Sequence, residues 1–240
     1  MNFKQKKKLQ WLTIILLLAT SLAFQQVSIT KKVIYEEIDG KIAVEAEHFA
    51  KQYKTKKRKW YLQDANNTAN VAPDADENHF IDASGGAYLE LLPDTRVTHD
   101  DPLVHGESFS NKPGVMAILD YKVYFNSPGK YYVWVRVHTS GTEDNGIHVG
   151  INGTWPESGQ RMQFSGNSKK WIWESRQRTK EVHTGVEKLI YLEIPEAGLH
   201  TISFSMREDG FEFDKWMMEK EYKRPEGKGI AERIKKHRMN

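Results

Sequence analysis

Three acids near the two ends of the chain have the residue type and spacing for cation chemistry. Glu45 and Glu47 lie in Ile42-Ala43-Val44-Glu45-Ala46-Glu47-His48-Phe49, where apolar and polar residues alternate as in a β-strand. Alternation puts Ile42, Val44 and Ala46 on one face and both glutamates on the other. Neighbouring carboxylates repel, and a hard cation such as Ca²⁺ relieves that repulsion while using their oxygens as ligands. Two solvated glutamates on an edge strand give the same pattern. Toward the other end, Gly210-Phe211-Glu212-Phe213-Asp214-Lys215-Trp216-Met217-Met218 alternates too and carries Asp214. In a sandwich whose first and last strands are neighbours, Asp214 would complete a site begun by Glu45 and Glu47. The competing expectation is that Lys or Arg neighbours neutralise the three acids and no ion binds.

The rest of the chemistry search excludes more than it finds. There is no Gly-x-Ser-x-Gly elbow, His-Glu-x-x-His, phosphate loop or dinucleotide fingerprint. His99, Asp100, Asp101 and His105 crowd one loop, but sequence neighbours in a loop seldom make a shaped metal or acid–base site. Catalytic carboxylates of a hydrolase or lyase would be drawn from Asp100, Asp101, Asp144 and Glu212, and no spacing singles out a pair. Aromatic residues beside polar ones stand out more. Thr142-Glu143-Asp144-Asn145-Gly146 separates two strands, Asn152-Gly153-Thr154-Trp155-Pro156 follows the next, and Trp171-x-Trp173 opens another. Sugars stack their C–H faces on flat rings while carboxylates and amides take the hydroxyls. Trp155, beside a proline in a loop, is therefore a ligand candidate, with core packing as the alternative. Trp134, Trp173 and Trp216 read as core.

The elements that must position these groups are strands. The chain has 240 residues, 39% hydrophobic and 28% charged, enough for one large β domain or two small domains. Seven Trp and ten Tyr suggest a core plus a contact surface. The absence of Cys excludes disulfides, thiolate metal sites and a cysteine nucleophile. Residues 1–24 read as a signal peptide: Lys4, Lys6, Lys7 and Lys8, an apolar run from Trp11 to Ala19, then Ser21-Leu22-Ala23. The run is shorter than the ~20 residues that span a bilayer. Uncleaved, it would instead anchor an envelope interaction protein, the one case in which a membrane would be a partner. The formal net charge is +3, yet four lysines lie in residues 1–24 and seven Lys and Arg face only Glu226 and Glu232 in 222–240. The body between is acidic and a poor match for nucleic acid.

Short strands bounded by Gly, Pro, Asn or Asp are expected at 87–92, 115–125, 130–138, 146–152, 161–165, 171–176, 188–195, 199–207 and 211–218. Long loops separate them at 64–79 and 93–114, and Asn126-Ser127-Pro128-Gly129 reads as a hairpin turn. The basic run 51–59 reads as a solvated loop or an anion-facing patch. Only 229–238 has a helical look. The organisation is an all-β sandwich over 35–221 followed by a basic tail, 222–240.

Val44-Glu45-Ala46-Glu47 and Phe211-x-Phe-Asp214 resemble the terminal strands of carbohydrate-binding modules of families 6 and 35. The body as a whole resembles the C-terminal module of family 115 glycoside hydrolases, as does the turn from Tyr222 to Gly229. The resemblance covers about 42–229 and is strongest at its two ends. It implies a jelly-roll β-sandwich of galactose-binding-like topology, with Glu45, Glu47 and Asp214 as ligands of a structural Ca²⁺. It matches Asp144 and Asn145 to a loop pair that precedes a strand. Glu212 stands where family 6 often has an asparagine that contacts sugar, a departure that points to a different ligand. The function implied is a secreted, non-catalytic protein that binds polysaccharide or oligosaccharide.

Overall fold

A computed structural model describes residues 33–74, 76–164 and 169–235 of the chain; the expected signal segment, 1–24, lies outside the described residues. The strands in chain order are β1 (Tyr35–Glu36), β2 (Lys41–Glu45), β3 (Lys51–Tyr53), β4 (Lys59–Asp64), β5 (Ala87–Leu92), β6 (Ile118–Phe125), β7 (Gly129–His138) and β8 (Gly146–Ile151). There follow β9 (Met162–Gln163), β10 (Ile172–Glu174), β11 (Arg176–Gln177), β12 (Val186–Glu187), β13 (Tyr191–Ile194), β14 (Gly198–Met206) and β15 (Glu212–Glu219). One sheet has the order β1-β6-β14-β8-β9-β11-β12, with β3 also on β6. The other runs β10-β7-β15-β5-β4, with β13 on β7 and β2 on β15.

From β5 to β8, and again from β13 to β15, each strand joins the opposite sheet from the one before it. That alternation makes the molecule a jelly-roll β-sandwich. It also corrects one expectation. The turn at Asn126–Gly129 is no hairpin, because β6 and β7 belong to different sheets. Its turn residues are those of a hairpin, but both flanking strands send apolar side chains inward. Phe125 and Tyr131 meet edge to face at 5.1 Å across the gap between the sheets. The buried carboxylate of Glu37 receives the backbone N–H groups of Asn126 and Ser127 and holds the corner.

The core lies between the sheets. Alternation in β6 delivers Leu119, Tyr121, Val123 and Phe125 to it, and β14 adds Ile202, Phe204 and Met206. Side chains of this size contribute about 1.5–3 kcal/mol each when fully buried. β15 is buried at all its positions. Phe213, Trp216 and Met218 face the core, and Met217 faces out beneath a second small cluster with Ala43, Trp134 and Trp173. The cover on that outer side is the tail. Tyr222 packs on the Trp134 ring at 4.9 Å, and Arg224 donates to the Trp173 carbonyl at 2.8 Å. Glu232 accepts from His48 at 3.0 Å, and Ile234 bridges to Tyr35. Residues 229–235 are thus not helical; they run across the sandwich, pinned by these contacts.

The basic run 51–59 is also more structured than a solvated loop. It supplies β3 and the start of β4, and its Arg58 is buried with Nη2 at 2.5 Å from the Asp209 carboxylate.

Candidate functional site

The outer face of the second sheet carries two clusters of buried charged side chains. β2 lies antiparallel against β15 with Glu45 opposite Lys215. The strand alternation expected through Glu47 stops at Glu45, where Ala46–His48 forms a 3-10 turn. On β15 the register slips between Phe213 and Lys215, so Asp214 is the extra residue of a β-bulge. The bulge turns Asp214 toward Ser84-Gly85-Gly86, a turn whose glycines have φ of 66° and 74°, values suited to residues without a Cβ. Ser84 donates its N–H to Asp214 Oδ1 at 2.6 Å and its hydroxyl to Glu45 Oε1 at 2.9 Å.

Ser84 therefore bridges Glu45 and Asp214, the charges of both reach Glu47, and two fixed cations join them. Lys215 Nζ lies 2.8 Å from Glu45 Oε1, and Arg136 Nη1 lies 2.6 Å from Asp214 Oδ2. No Lys or Arg ion pair to Glu47 is found among the described residues. Burial pushes its carboxyl up to about 8, opposed by a backbone hydrogen bond and by His48 and reinforced by the charges of Glu45 and Asp214. Burial also raises Asp214, to about 6, against the pull of Arg136. Glu45 Oε2 and Glu47 Oε2 are buried and accept no hydrogen bond among the described residues. Two orphaned carboxylate oxygens in an all-oxygen donor set fit a hard cation.

A second polar cluster occupies the same face at the other end of β15. Register places Glu212 directly opposite Glu90 on β5 and His138 on β7. His79, from the long loop before β5, closes over them. His79 Nδ1 lies 2.8 Å from Glu212 Oε1, and His138 Nδ1 lies 2.8 Å from Oε2. The two imidazole rings stack at 3.6 Å. Burial depresses His79, but its hydrogen bond to Glu212 and the charges of Glu212, Asp76 and Glu77 outweigh burial and raise it overall. Glu90 is pushed up to about 9 by burial and then by Glu212 and Asp74, so it is a neutral acid at pH 7, with Gln63 donating to it. Trp171 is half-buried at the edge of the cluster. Its Nε1 donates to the His79 carbonyl at 3.1 Å, and its ring meets Tyr88 at 5.3 Å and His138 at 5.6 Å.

The other sequence-derived candidates have different surroundings. Asp144 Oδ2 receives the N–H groups of Ser140 and Gly141, which makes that oxygen a turn-former, although the charge of Glu212 reaches it. Asn145 is buried, donating to the Thr142 carbonyl and accepting from Gln163. Trp155 lies over the first sheet, so close to Gly150 and Gly114 that an added Cβ would sit 2.8 Å and 2.2 Å from its ring. Nearby on that side an open depression of about 580 Å³ is lined by His105, Ser110, Asn111, Lys112, Pro113 and Val115, with no carboxylate among them. Asp100 is exposed, and Asp101 Oδ2 accepts from the N–H and hydroxyl of Thr98. Sequence reasoning missed His79, His138, Tyr88 and Glu90 as site residues. Only strand register and one loop closure unite them, and neither leaves a spacing to read.

The fold and this site define a β-sandwich module with a polar, partly aromatic patch on one sheet. The profile of the glycosyl hydrolase family 115 C-terminal domain matches residues 71–226, and the chain belongs to that family. It is 56% identical over 200 residues to the uncharacterized protein P23 of Formosa agariphila. That match takes in 83% of this chain and 48% of the relative, so the chain spans about half the length of the curated relative it matches. Among solved structures, the family 35 carbohydrate-binding module of Clostridium thermocellum is 13% identical, with a TM-score of 0.40 over 74% of this chain and 96% of that one. The C-terminal family 6 module of a marine laminarinase from Zobellia galactanivorans is 11% identical, with a TM-score of 0.39 over 75% and 99%. The family 26 mannanase with a family 35 module from Podospora anserina is 11% identical, with a TM-score of 0.43 over 79% and 29%.

Proposed function

We propose that this chain is a non-catalytic, extracytoplasmic module that binds polysaccharide or oligosaccharide through the patch around Glu212. The observation that carries the proposal is the pairing of a half-buried flat ring, Trp171, with the half-buried imidazole of His79 directly above a buried carboxylate. A ring offers a stacking surface for a sugar face, and imidazole and carboxylate supply a donor and an acceptor for its hydroxyls. Membership of the family 115 C-terminal domain supports the ligand class. Asp144 borders the patch, whereas Asn145 and Trp155 act in this reading as supports of their own loops. Among the described residues no helix is long and apolar enough to cross a membrane. Affinity electrophoresis of the full chain through gels containing a panel of plant and algal polysaccharides tests the proposal. Retardation in at least one gel is expected, reduced in Glu212→Gln; free migration in every gel by folded protein overturns it.

The same reading includes a structural Ca²⁺ held by Glu45, Glu47 and Asp214. The ion would supply the charge that Lys215 and Arg136 leave unmet at Glu47 and would tie β2 to β15. Bound to the native state alone at a free concentration ~100 times its Kd, it stabilises by about 2.7 kcal/mol. In a domain of this size that is a rise in Tm of roughly 5–10 °C. Equal melting temperatures in calcium and in chelator, with no loss in Asp214→Asn, would leave the two cationic side chains as the whole account.

A further inference from the structure

His79, His138 and Glu212 come from three separate segments, yet one ligand atom of each lies within 4.8 Å of the other two. The atoms are two imidazole nitrogens and a carboxylate oxygen. Both Nδ1 atoms point at one carboxylate, one to each oxygen, at 2.8 Å. Holding that arrangement without a metal requires a proton on each Nδ1. If both imidazoles were also cationic, two like charges would face each other across a 3.6 Å stack.

We infer that these three side chains form a binding site for a borderline divalent transition metal, with Zn²⁺ as the reference ion. Two histidines and one glutamate are the protein ligands of a recurrent zinc arrangement, and imidazole favours such ions over Ca²⁺. This separates the site by chemistry from the all-oxygen set at Glu45, Glu47 and Asp214. The surroundings also favour a cation. Asp74, Asp76 and Asp144 all lie close enough to interact with the charge of Glu212. The Arg136 guanidinium, over the Trp171 ring, commits its Nη1 to Asp214. Supporting contacts fix the ligands. The His79 backbone is held by Trp171 at its carbonyl and by the Tyr88 hydroxyl at its N–H, and Glu212 and His138 are partners in a central strand pair. The His79 side chain is 23% exposed, which gives an ion a way in and leaves room for water or another oxygen ligand. The inference goes beyond the glycan reading, and it is read by metal alone, so its failure and the failure of glycan binding are separate results.

The test is calorimetric titration of the full chain with Zn²⁺ at pH 7.5 in excess Ca²⁺, which saturates any all-oxygen site. One Zn²⁺ per chain is expected, weakened at least roughly tenfold in His79→Gln and in His138→Gln. Co²⁺ bound in place of Zn²⁺ should give a visible absorption band that either variant loses. Circular dichroism checks that the variants fold. If the buried His138→Gln fails to fold, the more exposed His79→Gln carries the test. No binding by the wild type, or unchanged affinity in a folded variant, overturns the inference.

Discussion

His148 and His138 are both buried, and both project from the outer face of a central strand, one on each sheet. Their surroundings make them opposites. His148, on β8, is fully hydrogen-bonded in its neutral form. Its Nε2–H donates to the Ser110 carbonyl at 3.0 Å, and its Nδ1 accepts the Arg161 N–H at 3.0 Å. A second proton would have to displace the Arg161 bond. His138, on β7, shares a carboxylate with another imidazole at the edge of an acidic loop cluster. Burial is therefore a poor guide to what a histidine does here; the group at its nitrogen decides. On the first sheet the Trp155 ring packs against glycines beside an open depression whose lining has no carboxylate, while the second sheet keeps a charged, partly open patch.

The largest effect that would sharpen this contrast is acid sensitivity. Burial pulls the His148 pKa from 6.5 down to about 4, with Arg207 and Arg161 adding to the shift against the Ser110 hydrogen bond. Between those values the unfolded chain holds a proton that the folded chain refuses, so stability falls as pH falls through this window. The loss is about 1.4 kcal/mol per pH unit, or about 3 kcal/mol in all. Raised carboxyls such as Asp94, pushed to about 8 chiefly by burial, act with the opposite sign. The contribution of His148 is therefore read as the difference between wild type and His148→Gln in urea unfolding at pH 7 and pH 4. Parallel pH profiles would break the contrast. Next in size, Trp155→Ala should cost about 2 kcal/mol through lost packing on Gly114 and Gly150, a drop in Tm of roughly 4–8 °C. An unchanged Tm would make that ring a free surface. Smallest, Ser84→Ala removes one hydroxyl from Glu45 and should cost about 1 kcal/mol, seen as a shifted urea midpoint with unchanged slope. No shift would mean that Lys215 alone satisfies Glu45.

Most strands were legible because one face is apolar and the other polar, as in β6. The exception is instructive. β15 is buried on both faces, so alternation in it separates a core side, Phe213 and Trp216, from a side hidden by the tail, Met217. Sequence reading flagged Glu45, Glu47 and Asp214, and the β2–β15 pairing together with the bulge brings Glu45 and Asp214 to one serine, Ser84. It flagged Glu212 as a ligand contact through a resemblance, and otherwise only as one of four candidate acids that no spacing singles out. His79 and His138 gave no signal, since register across β5, β15 and β7 joins positions that no local pattern relates. The turn at Asn126–Gly129 misled for the same reason, because turn chemistry is local and sheet membership is not.

The central claim is that glycan binds on the second sheet's face, at Trp171 and Glu212, and not on the first. It is tested most directly by measuring retention of wild type, Trp171→Ala and Trp155→Ala in the same polysaccharide gel, with folding verified for each. The account predicts retention by wild type and Trp155→Ala and its loss in Trp171→Ala. Retention that survives Trp171→Ala and vanishes in folded Trp155→Ala would contradict it.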